Sequence, residues 1–241
     1  MILEIAVFNI NAALSAASAG ADRIELCENP SEGGTTPSYG TLKIAREKIS
    51  LPVFPIIRPR GGDFFYTDEE FEVIKKDILL CKELQFEGVV TGSLNADGSV
   101  QEEHMRELAD LAYPMELTFH RAFDRASDPF KALETLISCG CSRILTSGQV
   151  PDAFAGKDLI KQLVQQADER ILIMPGSGVR SNNIAALTDY TGAKELHSSA
   201  RKVFPSAMDF HAAGMQEALT TYTVDEDEIR KMKTILSGSE H

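Results

Sequence analysis

The chain contains no tryptophan, and its four cysteines, Cys27, Cys81, Cys139 and Cys141, follow no disulfide-framework spacing. A small secreted scaffold stapled by disulfides is thereby excluded, and a reducing cytoplasmic compartment is the expectation. No apolar run approaches the roughly 18–20 residues needed to cross a bilayer. The opening residues, Met1-Ile2-Leu3-Glu4-Ile5, read as a strand and lack the basic flank of a signal peptide. An excess of positive charge is also missing: 24 Lys and Arg face 36 Asp and Glu, for a net charge of −12. Such a balance argues against nucleic acid or an anionic membrane as partner, because both require a basic footprint. It leaves room for a small anionic ligand in a locally basic pocket. Linkers rich in Pro, Gly or Ser are absent too, so residues 1–241 read as a single domain.

What is present is an alternation. Short apolar, β-branched runs occupy Ile2–Val7, Arg23–Cys27, Val53–Ile57, Gly88–Thr91, Glu116–Phe119, Arg143–Thr146, Ile171–Met174 and Glu195–His197. Stretches of helical period separate them. Asn9 or Asn11 can cap the first helix and Gly20 can end it. Thr67 with Glu70 forms a capping box before a stripe of Phe71, Ile74, Ile78 and Cys81. Asp128-Pro129 starts another helix and Gly140 stops it. Ser181 can cap a helix through Leu187, with Gly192 beyond its end. Strict β/α alternation implies parallel strands with right-handed crossovers. Eight units predict a closed (β/α)8 TIM-type barrel. An open doubly wound sheet is the alternative, but it normally carries a glycine fingerprint after its first strand, and Phe8-Asn9-Ile10-Asn11 has no glycine. A longer loop is expected near 206–224 and a final helix near 225–236. That loop is open to two readings, a cover over the barrel mouth or a loosely packed tail.

In this fold chemistry gathers at the carboxyl ends of the strands. The polar residues crowd there. Arg58-Pro59-Arg60-Gly61-Gly62-Asp63-Phe64 follows the third strand, with two guanidiniums, two glycines and a carboxylate at one strand-to-loop transition. Arginine forks suit carboxylate or phosphate, and glycine permits close approach of backbone to ligand. Alternation along the strands places Glu25, Cys27, Arg58, His120 and His197 at one mouth if those sides face the axis. Glu25, His120 and His197 are then candidates for acid–base catalysis. Arg58, Arg60, Asp63, Arg121, Ser147, Gly176, Ser177, Gly178 and Ser199 are candidates for anion binding. Within that set, Gly176-Ser177-Gly178 stands where barrels often cradle phosphate. Glu25 and Arg58 are expected to pair with each other or with a ligand, since an unpaired buried charge is costly; the opposing reading is a self-satisfied ion-pair network that merely plugs the barrel. Cys27, the histidines, Met208 and Met215 are soft or borderline donors suited to Cu(I), though no C-x-x-C or H-x-x-x-H spacing accompanies them. Cys139-Gly140-Cys141 precedes the sixth strand and reads as a turn. A non-catalytic scaffold that docks a protein partner is a further alternative.

Six ordered motifs carry a resemblance: Asp22-Arg23-Ile24-Glu25-Leu26-Cys27, Ser31-Glu32-Gly33-Gly34-Thr35-Thr36-Pro37-Ser38, Ile57-Arg58-Pro59-Arg60-Gly61-Gly62-Asp63-Phe64, Thr118-Phe119-His120-Arg121-Ala122-Phe123-Asp124, Leu145-Thr146-Ser147-Gly148 and Met174-Pro175-Gly176-Ser177-Gly178-Val179. The chain resembles the copper homeostasis protein CutC family from Met1 to about Arg201. The resemblance implies a (β/α)8 barrel, a cytosolic location, a homodimer or higher homo-oligomer, and a part in copper homeostasis through Cu(I) binding, with Cys27 as the metal candidate. Two departures stand out. Ala6 occupies a strand-one position where some members carry cysteine, and Ser206-Ala207-Met208 replaces a Ser-Gly-Met. The alternative activity is that of a barrel enzyme acting on a small anionic or phosphorylated metabolite.

Overall fold

The computed structural model describes residues 1–216 and 219–238. Eight parallel strands alternate with helices in the expected order. They are β1 (Ile2–Val7), β2 (Arg23–Leu26), β3 (Val53–Pro55), β4 (Gly88–Thr91), β5 (Glu116–Phe119), β6 (Arg143–Thr146), β7 (Leu172–Pro175) and β8 (Glu195–Ser198). The helices between them are α1 (Ile10–Ser18), α2 (Tyr39–Lys48), α3 (Asp68–Glu83), α4 (Glu102–Ala112), α5 (Pro129–Ser138), α6 (Lys157–Ala167) and α7 (Ile184–Thr191). The strands form two parallel sheets, ordered β3-β2-β1-β8 and β4-β5-β6-β7. A parallel bridge between Ile56 and Val90 joins them on one side. Side chains cross the enclosed space: Arg23 on β2 reaches the Met174 sulfur on β7 at 3.3 Å. The result is the (β/α)8 fold.

Period-two alternation sorts the strands into an outer and an inner face. Leu3, Ile5 and Val7 of β1, with Ile24 and Leu26 of β2, pack outward under the helices and are at most 1% exposed. The inner face is unusual for a core. Arg23, Glu4 and Glu195 form a chain of buried ion pairs, and Arg143 closes it onto Glu195 at 2.6 Å. Both guanidiniums lie over the Phe54 ring, 5.0 and 5.4 Å from its centroid. Gly88 has no room for a side chain, because a Cβ there would stand 2.5 Å from that ring. Burying ions is costly unless every charge is matched, and here each one is. This network is the floor of the barrel. It fills the lower half of the interior and includes neither Glu25 nor Arg58. The mouth above it stays open.

Local sequence sets the helix ends. Asn9 caps α1, Thr67 and Glu70 make the capping box of α3, and Asp128 caps α5 ahead of Pro129. Ser181 does not cap α7. That helix starts at Ile184, and Ser181 instead gives its amide and hydroxyl to the Glu228 carboxylate. The span expected to be a loop over 206–224 also differs. Thr221–Val224 (β10) pairs antiparallel with Arg201–Phe204 (β9), so the excursion is an arm with a two-stranded base. Residues 217 and 218 of that arm lie outside the described residues. The last helix, α8 (Glu226–Gly238), packs Ile229, Met232 and Leu236 into the core.

Candidate functional site

Register builds the centre of the mouth. On β1, Glu4 stands beside Arg23 of β2 and His197 of β8. One turn of the pleat higher, Ala6 stands beside Glu25. The three side chains meet: His197 Nδ1 lies 2.7 Å from Glu4, and its Nε2 lies 3.6 Å from Glu25. Burial alone would raise Glu4, but the His197 hydrogen bond and the Arg23 charge hold it down at about 2. Glu25 goes the other way. Burial pushes it up to about 7 against the pull of His197, and the Glu4 charge adds to the push. His197 is itself raised: burial works against its charged form, and its hydrogen bond to Glu4 and the Glu25 charge outweigh that. Two carboxyls in one site thus hold their protons at very different pH, a pattern that separates acid–base roles.

His120 follows the last residue of β5 and caps a short 3₁₀ turn, Arg121–Arg125. Its Nδ1 accepts the Ala122 amide at 3.3 Å, while its Nε2 is buried with no partner among the described residues. An unsatisfied buried N–H costs about 1–3 kcal/mol, so its persistence calls for an explanation. Burial, with the Arg58 charge nearby, lowers the ring to about 3. His120 is therefore neutral near pH 7 and is a poor proton exchanger. Gly92 leaves the ring its place; a Cβ there would stand 2.7 Å from Nδ1.

Arg58 does not pair with Glu25. Its guanidinium donates to the carbonyls of Gly34 at 3.0 Å and Gly62 at 2.7 Å, and also to that of Glu32. It fastens the loop after β2 to the loop after β3, and its side chain lies over Phe64. The Arg60 fork turns away from the mouth, to Glu70 at 2.5 Å and to the exposed Asp63 at 3.0 Å. The bland reading of the arginine-rich loop holds for Arg60 and Asp63, since both spend their charges on neighbours.

A cleft of about 700 Å³ opens above the buried floor. Of the residues singled out from the sequence, Glu25, Cys27, Arg58, His120, Arg121, Ser177, Gly178, His197 and Ser199 line it. Arg60, Asp63, Ser147 and Gly176 do not. Ser147 sits behind it, donating its hydroxyl to Asp124 and accepting from Arg121 at 2.9 Å. Gly176 serves packing: a Cβ there would strike Leu145 at 2.4 Å. The Ser177 hydroxyl donates to the Pro151 carbonyl at 2.6 Å. The cleft also has residues that the sequence reading left out of the site, namely Arg125, Arg180, Arg201 and Asp124. Asp124 accepts from Thr146 and from the Ser147 and Gln149 amides, which ties the turn after β5 to the loop after β6. Glu4 was missed as well. Its signal was available: a carboxylate at an inward position of an otherwise apolar strand.

Among the described residues, Glu4, Glu25 and His197 are the one group of acidic, His or Cys side chains close enough to share a metal ion, with ligand atoms within 4.8 Å of one another. They do not suit one well, because the same Glu4 carboxylate already binds Arg23. Cys27 is buried against Phe54, Ile56 and Val90. Burial and the Glu25 and Glu4 charges push that thiol well above its ordinary range, so it stays protonated.

Fold and rim together define a (β/α)8-barrel protein with a polar cleft at the carboxyl ends of its strands. The chain belongs to the CutC family, whose model matches residues 1–202. A CutC family protein of Salmonella heidelberg (strain SL476) is 46% identical over 242 residues, covering 98% of this chain and 97% of its own. A crystal structure described as the putative copper homeostasis protein CutC of Streptococcus agalactiae is 35% identical, with a TM-score of 0.78, over 83% of this chain and 98% of its own. Phosphoribosylanthranilate isomerase of Thermotoga maritima, 13% identical, superposes with a TM-score of 0.60 over 99% of this chain and all of its own, which shows the fold alone.

Proposed function

We propose that the barrel mouth is an acid–base site for a small anionic metabolite, phosphorylated or carboxylated. One observation carries this reading: Glu25, a carboxyl raised by burial to about 7, shares a cleft with Arg125, Arg180 and Arg201, and with Arg121, whose guanidinium is 42% exposed beside Asp124 at 2.8 Å. A proton carrier that titrates near the working pH suits general acid–base catalysis. Guanidinium forks suit carboxylate and phosphate, and they gather here in a chain of net charge −12. His197, held by Glu4, steadies the Glu25 anion once its proton has left.

The family name ties the chain to copper homeostasis, and the residues present do not suit a Cu(I) centre. Cu(I) favours thiolate, thioether and imidazole. The Cys27 thiol is held protonated, and Ala6 stands in register with Glu25 where a second thiol could have been. Met208 and Met215 lie on the arm, 60% and 65% exposed. All four cysteines are free, and no described helix is long and apolar enough to cross a membrane. A reducing cytoplasm is the compartment we propose.

The test is calorimetric titration with inorganic phosphate and ribose 5-phosphate. Saturable binding is expected, weakened at least about tenfold by combined Arg121→Ala and Arg201→Ala substitution. Absence of saturable binding, or binding indifferent to both arginines, would contradict the proposal.

A further inference from the structure

Among the described residues Arg58 Nε, the Tyr66 hydroxyl and His120 Nε2 are buried without a hydrogen-bond partner, and the last belongs to a ring that lines the cleft. The ring is 3% exposed and held between Phe64 and Phe119, with centroids 4.8 and 5.9 Å away. Because Nδ1 accepts the Ala122 amide, the proton of the neutral ring sits on Nε2. This N–H donor has no acceptor among the described residues and is itself closed to water, and its ring lines the same cleft as Glu25. A pocket that needed only to hold an anion would be served better by a charged imidazole. A neutral ring with a fixed tautomer is suited to a different task, polarising an uncharged oxygen without giving up its proton.

We propose that His120 is the electrophile of an enolisation site, its Nε2–H holding a carbonyl oxygen of the ligand while Glu25 moves the proton on the adjoining carbon. The inference rests on the acid–base reading of the mouth and names its substrate class: a small anion bearing a ketone or aldehyde next to a C–H bond. In the step, the Glu25 carboxylate takes the proton as the C–H bond breaks. The freed electron pair forms the C=C bond, and the carbonyl π pair moves to oxygen, giving an enolate held by the His120 N–H. Glu25 trades that proton with solvent and returns one to the same carbon; the C–H bond re-forms, the C=C pair is given up to it and the oxygen pair restores the carbonyl, which completes an exchange. Every atom and electron is conserved without a co-reactant. Neutrality of the ring near pH 7, caused by burial beside Arg58, is consistent with this role.

Two measurements on the intact protein test it. In the first, dihydroxyacetone phosphate and pyruvate are incubated with the protein in D2O, and loss of the C–H signals is followed by proton NMR, while calorimetry reads binding of the same probes. Exchange at least about tenfold faster than in buffer is expected. It should fall about 100-fold in His120→Phe and less in His120→Gln, whose amide can still donate. Probes that bind without exchange would overturn the enolisation step and leave the anion site standing. Probes that do not bind would remove both. The second measurement is nitrogen-15 NMR of the wild-type imidazole and needs no variant to fold. A neutral ring protonated on Nε2 from about pH 5 to pH 8 is expected. Titration near the ordinary histidine value, or a proton on Nδ1, would overturn the proposal.

Discussion

His197 donates its Nδ1–H to the Glu4 carboxylate across 2.7 Å, and this one contact joins the buried floor of the barrel to its open mouth. Below it, Glu4 binds Arg23; above it, the other imidazole nitrogen faces Glu25. Glu4→Gln removes the charge that both cations share. Breaking a buried pair from one side costs about 3–5 kcal/mol, because the remaining charge is left unmatched. A drop of that order is expected in urea unfolding. Glu226→Gln, at an exposed pair with Arg230, should leave the midpoint unchanged.

Stability should respond to pH from both sides of this contact. Glu4 is held at about 2, so its contribution is complete above the ordinary carboxyl range and is lost as pH falls toward 2. Glu25 is raised to about 7, so its contribution is complete below the ordinary range and is lost as pH rises through 7. His197, also raised, acts in the same direction as Glu25. The charged and titratable groups around them are Arg23, Cys27 and Arg121, the last of which opposes the rise of His197. The unfolding free energy of wild type relative to Glu25→Gln should therefore decline between about pH 5 and pH 8. A difference constant across that range would contradict the burial argument.

Gly92→Ala places a Cβ 2.7 Å from His120 Nδ1 and 3.0 Å from the Phe119 ring. Overpacking of this kind costs about 1–3 kcal/mol, and the ring must leave its hydrogen bond to Ala122. A lower melting temperature and a shifted Ala122 amide resonance are expected. Gly214→Ala, where no atom lies within 4 Å of the new Cβ, is the control and should alter neither.

The Cys27 thiol should be inert. Burial and two neighbouring carboxylates keep it protonated, and only the thiolate reacts or binds Cu(I) readily. A thiol reagent at pH 8 should not modify Cys27 until the protein unfolds. Cu(I) competition should show the same affinity for wild type and Cys27→Ala. A loss of affinity in that variant would restore the copper reading.

Much of the fold was legible because each strand announces itself locally, through β-branched runs and capped helices. Every one of the eight expected strands lies within two residues of its observed bounds. The arm was not legible: Arg201–Phe204 and Thr221–Val224 pair across a long excursion, and neither strand has a buried face to impose alternation. At the site, alternation was enough to bring Glu25, Cys27, His120 and His197 to one cleft. It could not say which charges spend themselves on neighbours. Arg60 and Arg58 look alike in the sequence, yet one turns out to Glu70 and the other fastens two loops. Nor could it give the pairing of Glu4 with His197, because the partners are 193 residues apart and meet only once β1 and β8 are in register.

The protonation of Glu25 is the most direct point of attack. Selective carbon-13 labelling of glutamate would let its carboxyl resonance be followed from pH 4 to pH 9, first alone and then with saturating inorganic phosphate. Ionisation near 7 in the free protein is expected, moving upward when the anion enters the cleft. A Glu25 that ionises in the ordinary carboxyl range and ignores the added anion would contradict an acid–base site at the barrel mouth.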